Sequence, residues 1–312
     1  MAMAPFRFGL QVPTADSRAA LVERARRAED LGFDLLQTAD HLDELLPPLV
    51  TLAVVAASTT TLRVGTLVLN NDLRHPVVLA REAAAVDLLS EGRLELGIGA
   101  GHSEPEYRSA GLRFDRPGVR IDRLAESLAV LDPLLRGEEV TYAGTHYTVT
   151  GARVFPRPVQ DPRPPLLVGG GGRRLLALAA RTADVVGLTG TGPTRDDGRN
   201  HVPSHWAPTA VDAQVAHVRA EAAAAGRLSP ELQALVQVVT VTDDRRGALE
   251  AVHRHLPELT IEDLEGTPYL LVGTVDSIVE QLQAARERWG ISYVSVRDED
   301  AIAPVIARLA GT

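Results

Sequence analysis

The chain has 312 residues, of which 45% are hydrophobic but only 4% aromatic, and a formal net charge of −9. It contains no cysteine, and all 32 basic residues are arginine. Disulfides, zinc ribbons, iron–sulfur clusters, thiol nucleophiles, lysine Schiff bases and a P-loop lysine are therefore excluded. No run of basic residues offers a surface for nucleic acid. No stretch of about 18 apolar residues lacks charges or breakers, so no membrane span is expected. Met1–Pro5 carries neither an apolar signal core nor a twin arginine, which fits a cytoplasmic protein. The length suits one large α/β domain, and the aliphatic composition suits helices packed on buried parallel strands.

In chain order, Phe6–Val12 reads as a strand and Ser17–Gly32 as a helix, with Ser17 as its N-cap and Gly32 as its stop. Asp34–Thr38 is a strand, Pro48–Ser58 a helix, Arg63–Asn70 a β-branched strand, Val77–Ser90 a helix and Arg93–Gly99 a strand. The next helix carries Ile121, Leu124, Leu128, Leu131 and Leu135 at 3,4,3,4 spacing. Val140–Val154 then reads as a β-hairpin insertion, followed by the Pro-rich Pro156–Pro165. The alternation resumes with strand Pro165–Val168, helix Arg173–Arg181 and strand Asp184–Leu188. Thr189–Pro208 is polar, contains His201, His205 and Trp206, and is long enough to read as a lid or binding loop. Helix Val211–Ala225, strand Ala234–Thr242 and an extra helix Arg245–Leu256 follow. A second stripe, Val275, Ile278, Leu282, Ala285 and Trp289, precedes strand Ile291–Val296 and helix Ala301–Leu309. Strands alternating with helices in one domain, residues 1–312, favour a (β/α)8 TIM barrel with insertions near 140–160 and 189–210. A doubly wound sheet has the same local pattern.

In either architecture the chemistry sits at the C-terminal ends of the strands. After the second strand comes Ala39-Asp40-His41, a carboxylate beside an imidazole, which suits a general base or acid. A turn-capping Asp40 and a surface His41 fit the same residues. Gly65, inside the third strand, marks a bulge or a close backbone approach. His75 is held extended before Pro76, which can open a helix. The fourth strand ends in Gly97-Ile98-Gly99-Ala100-Gly101-His102. That is close to a dinucleotide fingerprint, but His102 stands at the third glycine and the strand is not the first, which weakens that reading. The fifth strand ends in Gly169-Gly170-Gly171-Gly172-Arg173-Arg174 and opens straight into a helix. Free amides at a helix N-terminus beside guanidinium groups make a phosphate site; a flexible tight turn is the plainer alternative.

Several stretches together resemble the luciferase-like monooxygenase superfamily, and within it the deazaflavin branch that uses coenzyme F420. They are Leu31-Gly32-Phe33-Asp34, Ala39-Asp40-His41, Val64-Gly65-Thr66, His75-Pro76, Ser90-Glu91-Gly92-Arg93-Leu94-Glu95-Leu96-Gly97-Ile98-Gly99-Ala100-Gly101, Glu104-Pro105-Glu106-Tyr107, Pro165-Leu166-Leu167-Val168-Gly169-Gly170 and Val272-Gly273-Thr274. They span nearly the whole chain in order. The resemblance implies a barrel with a flavin-like ring across the top of the strands and a non-prolyl cis peptide, here Leu67-Val68, behind it. It implies ring contacts from Asn70, Ala100 and Gly101, and a phosphate held by Gly169, Gly170, Gly171, Gly172 and Arg173. His41 maps to the histidine beside the hydride-transfer centre, with Asp40 orienting it. Sugar-phosphate dehydrogenase members carry a glutamate acid where this chain has His102, so His102 is a second proton donor and sugar-phosphate oxidation is placed in doubt.

The expected activity is hydride transfer between coenzyme F420 and a small organic substrate, with a homodimer as the implied assembly. FMN, and with it a luciferase-like monooxygenase, is the alternative on the same barrel. A metal-dependent barrel hydrolase would draw on His41, His75, Asp40 and Glu104, but the first strand lacks a His-x-His pair and no metal is expected. A non-catalytic cofactor binder is the remaining reading.

Overall fold

The computed structural model describes residues 4–42, 45–192 and 201–312. Its strands are β1 (Arg7–Gln11), β2 (Leu35–Thr38), β3 (Arg63–Thr66), β4 (Leu69–Asn70), β5 (Leu94–Gly99), β6 (Val140–Ala143), β7 (Thr148–Ala152), β8 (Leu166–Gly170), β9 (Val185–Leu188), β10 (Glu231–Leu235), β11 (Val238–Val241), β12 (Leu270–Gly273) and β13 (Ile291–Val296). Its helices are α1 (Arg18–Asp30), α2 (Pro48–Ser58), α3 (Pro76–Leu89), α4 (Glu104–Ser109), α5 (Pro117–Leu135), α6 (Arg173–Thr182), α7 (Pro208–Ala224), α8 (Arg245–His255), α9 (Ile261–Gly266), α10 (Val275–Trp289) and α11 (Glu299–Leu309). Strands β1, β2, β3, β5, β8, β9, β10 and β13 form a closed eight-stranded parallel barrel with flanking helices, the (β/α)8 architecture. Among the described residues no helix is long and apolar enough to cross a membrane.

Two compact units make up the chain: one is Met1–Gln11, Arg27–Asp34 and Gly169–Thr312, the other Val12–Arg26 and Leu35–Val168. In the first, β1 pairs with β13, β13 with β10, and β10 with β9, all parallel. All six residues of β13 are buried, as expected of a strand covered on both faces. Helix α10 lays Ile278, Leu282, Ala285 and Trp289 into the core. Thr274 caps its start by accepting from the Ser277 amide, and Gly290, at φ +77°, ends it in the left-handed conformation that glycine tolerates. The single strand expected over 234–242 is two. β10 belongs to the barrel, whereas β11 pairs with β12, a strand the pattern did not show. The run is too short and too uniformly apolar for periodicity to reveal the break.

In the second unit β2 pairs with β3, β3 with β5, and β5 with β8. Every residue of β5 is buried. Leu124, Leu128, Leu131 and Leu135 of α5 are buried, each contributing about 1.5–3 kcal/mol by leaving water. The antiparallel pair β6–β7 is the expected hairpin. The strand expected over 63–70 breaks into β3 and β4 around a cis peptide bond between Leu67 and Val68. Gly65 serves close approach: a Cβ there would lie 3.0 Å from the Glu95 carbonyl oxygen. Helix α2 has no glycine stop. Arg93 closes its end by donating to the Ala56 and Leu62 carbonyls and to the Thr59 hydroxyl. Buried Asp87 anchors the Pro-rich segment, accepting from the Val159 and Gln160 amides and from Gln160 Nε2. The short helices α4 and α9 were not legible as helices, being only six residues each.

Candidate active site

Strand β2 ends at Thr38, so Asp40 and His41 leave its C-terminal end, where barrel chemistry is found. Asp40 is buried and fully engaged. Its Oδ2 accepts from Arg74 Nη1 at 2.5 Å and from the Asn70 amide at 3.0 Å, and its Oδ1 accepts from Arg74 Nη2 at 3.3 Å. A carboxylate removed from water needs such charged and hydrogen-bonded partners. Asp40 thus ties the end of β2 to the end of β4. It does not orient His41, as the family pattern had implied.

Glu106 of α4 takes that role. Its Oε1 lies 2.8 Å from His41 Nδ1, and its Oε2 accepts from the Leu42 amide at 3.0 Å. Burial pushes the Glu106 carboxyl up, but the hydrogen bonds from His41 and Leu42 outweigh it and hold the group below the ordinary glutamate range. An ionised carboxylate can only accept, so Nδ1 is the donor of this pair, and in the neutral ring Nε2 is the nitrogen with the free lone pair. The His41 side chain is one-third exposed, whereas that of Glu106 is 6% exposed. The His102 ring, just after β5, meets the His41 ring edge-on with centroids 5.4 Å apart. Ser103-Glu104-Pro105-Glu106 has the spacing of a capping box, which would read Glu106 as a helix-start residue. Ser103 is the N-cap but makes no side-chain cap bond, and Glu106 is turned to His41.

The residues implied to meet a ring form one neighbourhood of the second unit. The cis bond of Leu67-Val68 lies between β3 and β4, and Asn70 ends β4. Thr66 Oγ1 donates to the Gly97 carbonyl at 2.7 Å and accepts from the Gly97 amide at 2.9 Å. A Cβ on Gly97 would stand 2.0 Å from the Thr66 carbonyl oxygen and 3.3 Å from Val68 Cγ1. Ala100 and Gly101 follow β5, and Gly101 has φ +73°. Asn70 Oδ1 accepts from the Tyr107 hydroxyl and from the Asp72 amide. Behind them Asp72 and Asp115 both pair with Arg123. Tyr107, Asp72, Arg74 and Arg123 were absent from the sequence-based site: Tyr107 stood in the Glu104-Pro105-Glu106-Tyr107 stretch without a role, and nothing local distinguishes the other three from ordinary surface and helix residues.

In the first unit, Gly169 and Gly170 end β8, Gly171 and Gly172 turn, and Arg173 opens α6. Gly172 is the N-cap and supplies no side-chain acceptor, so the first amides of α6 are not capped from within. A Cβ on Gly171 would lie 2.1 Å from the Thr191 carbonyl oxygen, whereas one on Gly172 would meet nothing within 4 Å. Buried Gln214 donates Nε2 to the Gly171 carbonyl at 2.9 Å, and His217 Nε2 donates to the Arg173 carbonyl at 2.9 Å. Gly172 and Arg173 are exposed. Of the expected 189–208 loop, residues 193–200 lie outside the described residues. His201 Nδ1 and His205 Nδ1 donate to the Gly192 and Thr191 carbonyls. Among the described residues no group of three or more His, Asp or Glu could hold a metal ion.

Comparison with known proteins agrees with the fold. Residues 1–260 match the family described as luciferase-like monooxygenase, and the chain belongs to that family. A relative from Nakamurella multipartita, named F420-dependent glucose-6-phosphate dehydrogenase, is 32% identical over 256 residues, covering 79% of this chain and 71% of the relative. A protein of the same name from Microbacterium testaceum is 32% identical over 189 residues, covering 58% of this chain. That match spans 55% of the length of the Microbacterium protein, so this chain covers little more than half of it. Among solved structures, an F420-dependent secondary alcohol dehydrogenase in complex with an F420-acetone adduct has a TM-score of 0.77 at 19% identity, over 98% of both chains.

Proposed function

We propose that this protein is an F420-dependent oxidoreductase that moves a hydride between the deazaflavin and a small organic substrate, with His41 as the proton acceptor or donor. The observation that carries the reading is the His41–Glu106 pair. An ionised, buried carboxylate on Nδ1 fixes the tautomer and leaves Nε2 as the one atom of the ring able to take a proton from a substrate hydroxyl. In the reverse direction the same atom delivers a proton to a carbonyl, alkene or imine. His102, in ring contact with His41, is placed to share that proton or to substitute as donor.

The residues present fit the coenzyme. The 169–172 turn is a cradle of backbone amides at a helix start, open at Gly172, with Arg173 beside it, as a phosphate requires. Asn70, Ala100, Gly101 and the Leu67-Val68 peptide would hold the ring. The bound deazaflavin supplies a two-electron hydride centre. Asp40 and Arg74 act on geometry alone, fixing the Asn70 backbone. The named activity of the curated relatives supports the cofactor assignment; their sugar-phosphate substrate is not carried over, because His102 stands where the family's glutamate acid is expected.

The partner copy belongs to the same reading. Helix α2 is apolar on every side, as a buried helix is, yet Val50 is exposed and Ala57 with it. Val78 and Leu89 of α3 are exposed too. A second copy of the chain covering this face forms the homodimer, and Val50→Arg should yield a monomer by sedimentation.

Fluorescence titration of cofactor-stripped protein with oxidised coenzyme F420 and with FMN tests the cofactor. Tight binding of F420 alone is expected. Tight binding of FMN alone would move the protein to the oxygen-using monooxygenases, and binding of neither would end the reading.

A further inference from the structure

Tyr107 is the most buried polar aromatic of the second unit's site, at 1% exposure, and no step above uses it. Its hydroxyl proton faces two acceptors at 3.0 Å, Asn70 Oδ1 and Asp72 Oδ2. Asp72 Oδ2 also receives Arg123 Nη1 at 2.6 Å, so that carboxylate keeps a cationic donor whichever acceptor takes the tyrosine proton, whereas Asn70 Oδ1 has only a neutral donor besides the tyrosine. The Asp72 backbone amide reaches the same Oδ1 at 3.1 Å. Two donors converging on one oxygen determine how the planar amide sits. Its carbonyl arm points at Tyr107 and Asp72, and its Nδ2 arm, with two N–H donors, is left for other partners. The inverted amide would set N–H against the Asp72 N–H. Burial and the neighbouring Asp72 raise the Tyr107 hydroxyl well above the ordinary tyrosine range, so it stays a donor at any working pH. The turn is shaped around this pair: a Cβ on Gly101 would come within 2.2 Å of Tyr107 Oη and 2.5 Å of Asn70 Oδ1.

We propose that Tyr107 is a positioning residue that fixes the Asn70 amide so that it presents its NH2 group, and not its carbonyl, to the bound ring, which makes this edge of the site a reader of hydrogen-bond acceptors such as a ring carbonyl. The inference rests on the cofactor reading above and extends it. Phe at position 107 keeps the packing and removes only the donor. Asp at position 70 keeps both inward acceptor contacts, removes the outward NH2, and has a carboxylate with two equivalent oxygens, so nothing remains to be oriented.

The experiment is a double-mutant cycle on coenzyme F420 affinity by fluorescence titration, or on FMN if that is the cofactor bound. Tyr107→Phe should weaken binding about 5- to 10-fold and Asn70→Asp more. In the Asn70→Asp background, Tyr107→Phe should change affinity by less than about twofold. Equal loss in both backgrounds would make Tyr107 a packing residue and overturn the proposal, as would an unchanged affinity in Tyr107→Phe. The orientation is also read without cofactor from [15N]Asn-labelled protein, with Asn70→Asp identifying the signal. One sharp side-chain NH2 pair is expected in wild type and a broadened or doubled pair in Tyr107→Phe. An identical pair in both proteins overturns the proposal, and this arm decides even if wild type binds neither cofactor.

Discussion

The two candidate regions are made of different material. In the second unit, His41, Asp40 and Asn70 are each held by another side chain: Glu106, Arg74 and Tyr107. In the first unit, the 169–172 turn offers backbone, and a backbone carbonyl and one glutamine amide keep it in place. Side chains locked by side chains can lose a proton-transfer function while the fold stays intact. A glycine turn packed on backbone has no such slack. Substitutions of the His41–Glu106 pair should therefore separate turnover from affinity, and substitutions in the turn should move affinity or stability.

The largest effect expected is from His41→Ala. General acid–base groups contribute about 10²- to 10⁴-fold, and turnover with any accepted substrate should fall by that range. Coenzyme F420 affinity should change by no more than about twofold. A parallel loss of both would assign His41 to binding and erase the contrast between the regions.

How much of this was legible beforehand follows the same division. The alternation of strands and helices and the glycine turn come from features that are local in sequence, period-2 and period-3.6 apolar spacing and glycine runs, whereas the choice of the barrel and the cis bond's position came with the family resemblance that the ordered motifs carry. The partners of the candidate site's side chains are not local. Glu106 lies 65 residues from His41, Arg74 lies 34 from Asp40, and Tyr107 lies 37 from Asn70. No spacing rule connects them, and the one local rule that applies to Glu106, the capping box, points the wrong way. The adjacency of Asp40 and His41 was misleading for a related reason. Neighbours at a strand end diverge, so the carboxylate next in sequence is directed to Arg74. The β10–β11 break was hidden because both halves are apolar enough to pass as one strand.

Glycines sharpen the comparison through stability. Gly97→Ala puts a methyl 2.0 Å from the Thr66 carbonyl, and Gly171→Ala puts one 2.1 Å from that of Thr191. Neither backbone atom can move aside as a side chain would, so each should cost about 3 kcal/mol or more, read as a lowered melting temperature. Gly172→Ala meets nothing within 4 Å at a φ of −76° and should leave stability within about 1 kcal/mol. A large loss for Gly172→Ala would mean that the turn tolerates no side chain anywhere.

Glu106→Gln tests the anchor. Glutamine Oε1 can still accept from Nδ1, so the tautomer survives, but its NH2 cannot accept from the Leu42 amide, and the charge and that hydrogen bond are lost. Turnover should fall about tenfold with cofactor affinity unchanged. The pH dependence has a definite sign. The folded-state carboxyl titrates below its unfolded value, so its contribution to stability is fully present above the ordinary glutamate range of about 4.3 and is lost as pH falls through the lowered folded value. The stability difference between wild type and Glu106→Gln should thus shrink as the pH falls below about 4. A difference that grows on acidification would show that Glu106 is not held as the anion.

The smallest effect expected is at Gln214, and it bears most directly on the turn. Gln214 Nε2 holds the Gly171 carbonyl at 2.9 Å from a buried position. That bond fixes the peptide immediately before Gly172, whose orientation sets where the first amides of α6 point. Gln214→Leu keeps the volume and removes the donor, leaving the Gly171 carbonyl without it. A single neutral hydrogen bond is worth about 1 kcal/mol, so affinity for coenzyme F420 should fall about fivefold. Turnover at saturating cofactor should hold, since no proton-transfer group is touched. A loss of turnover with affinity intact would be the reverse of the division drawn above, and would mean that the turn shapes the reacting end of the site and not the phosphate end.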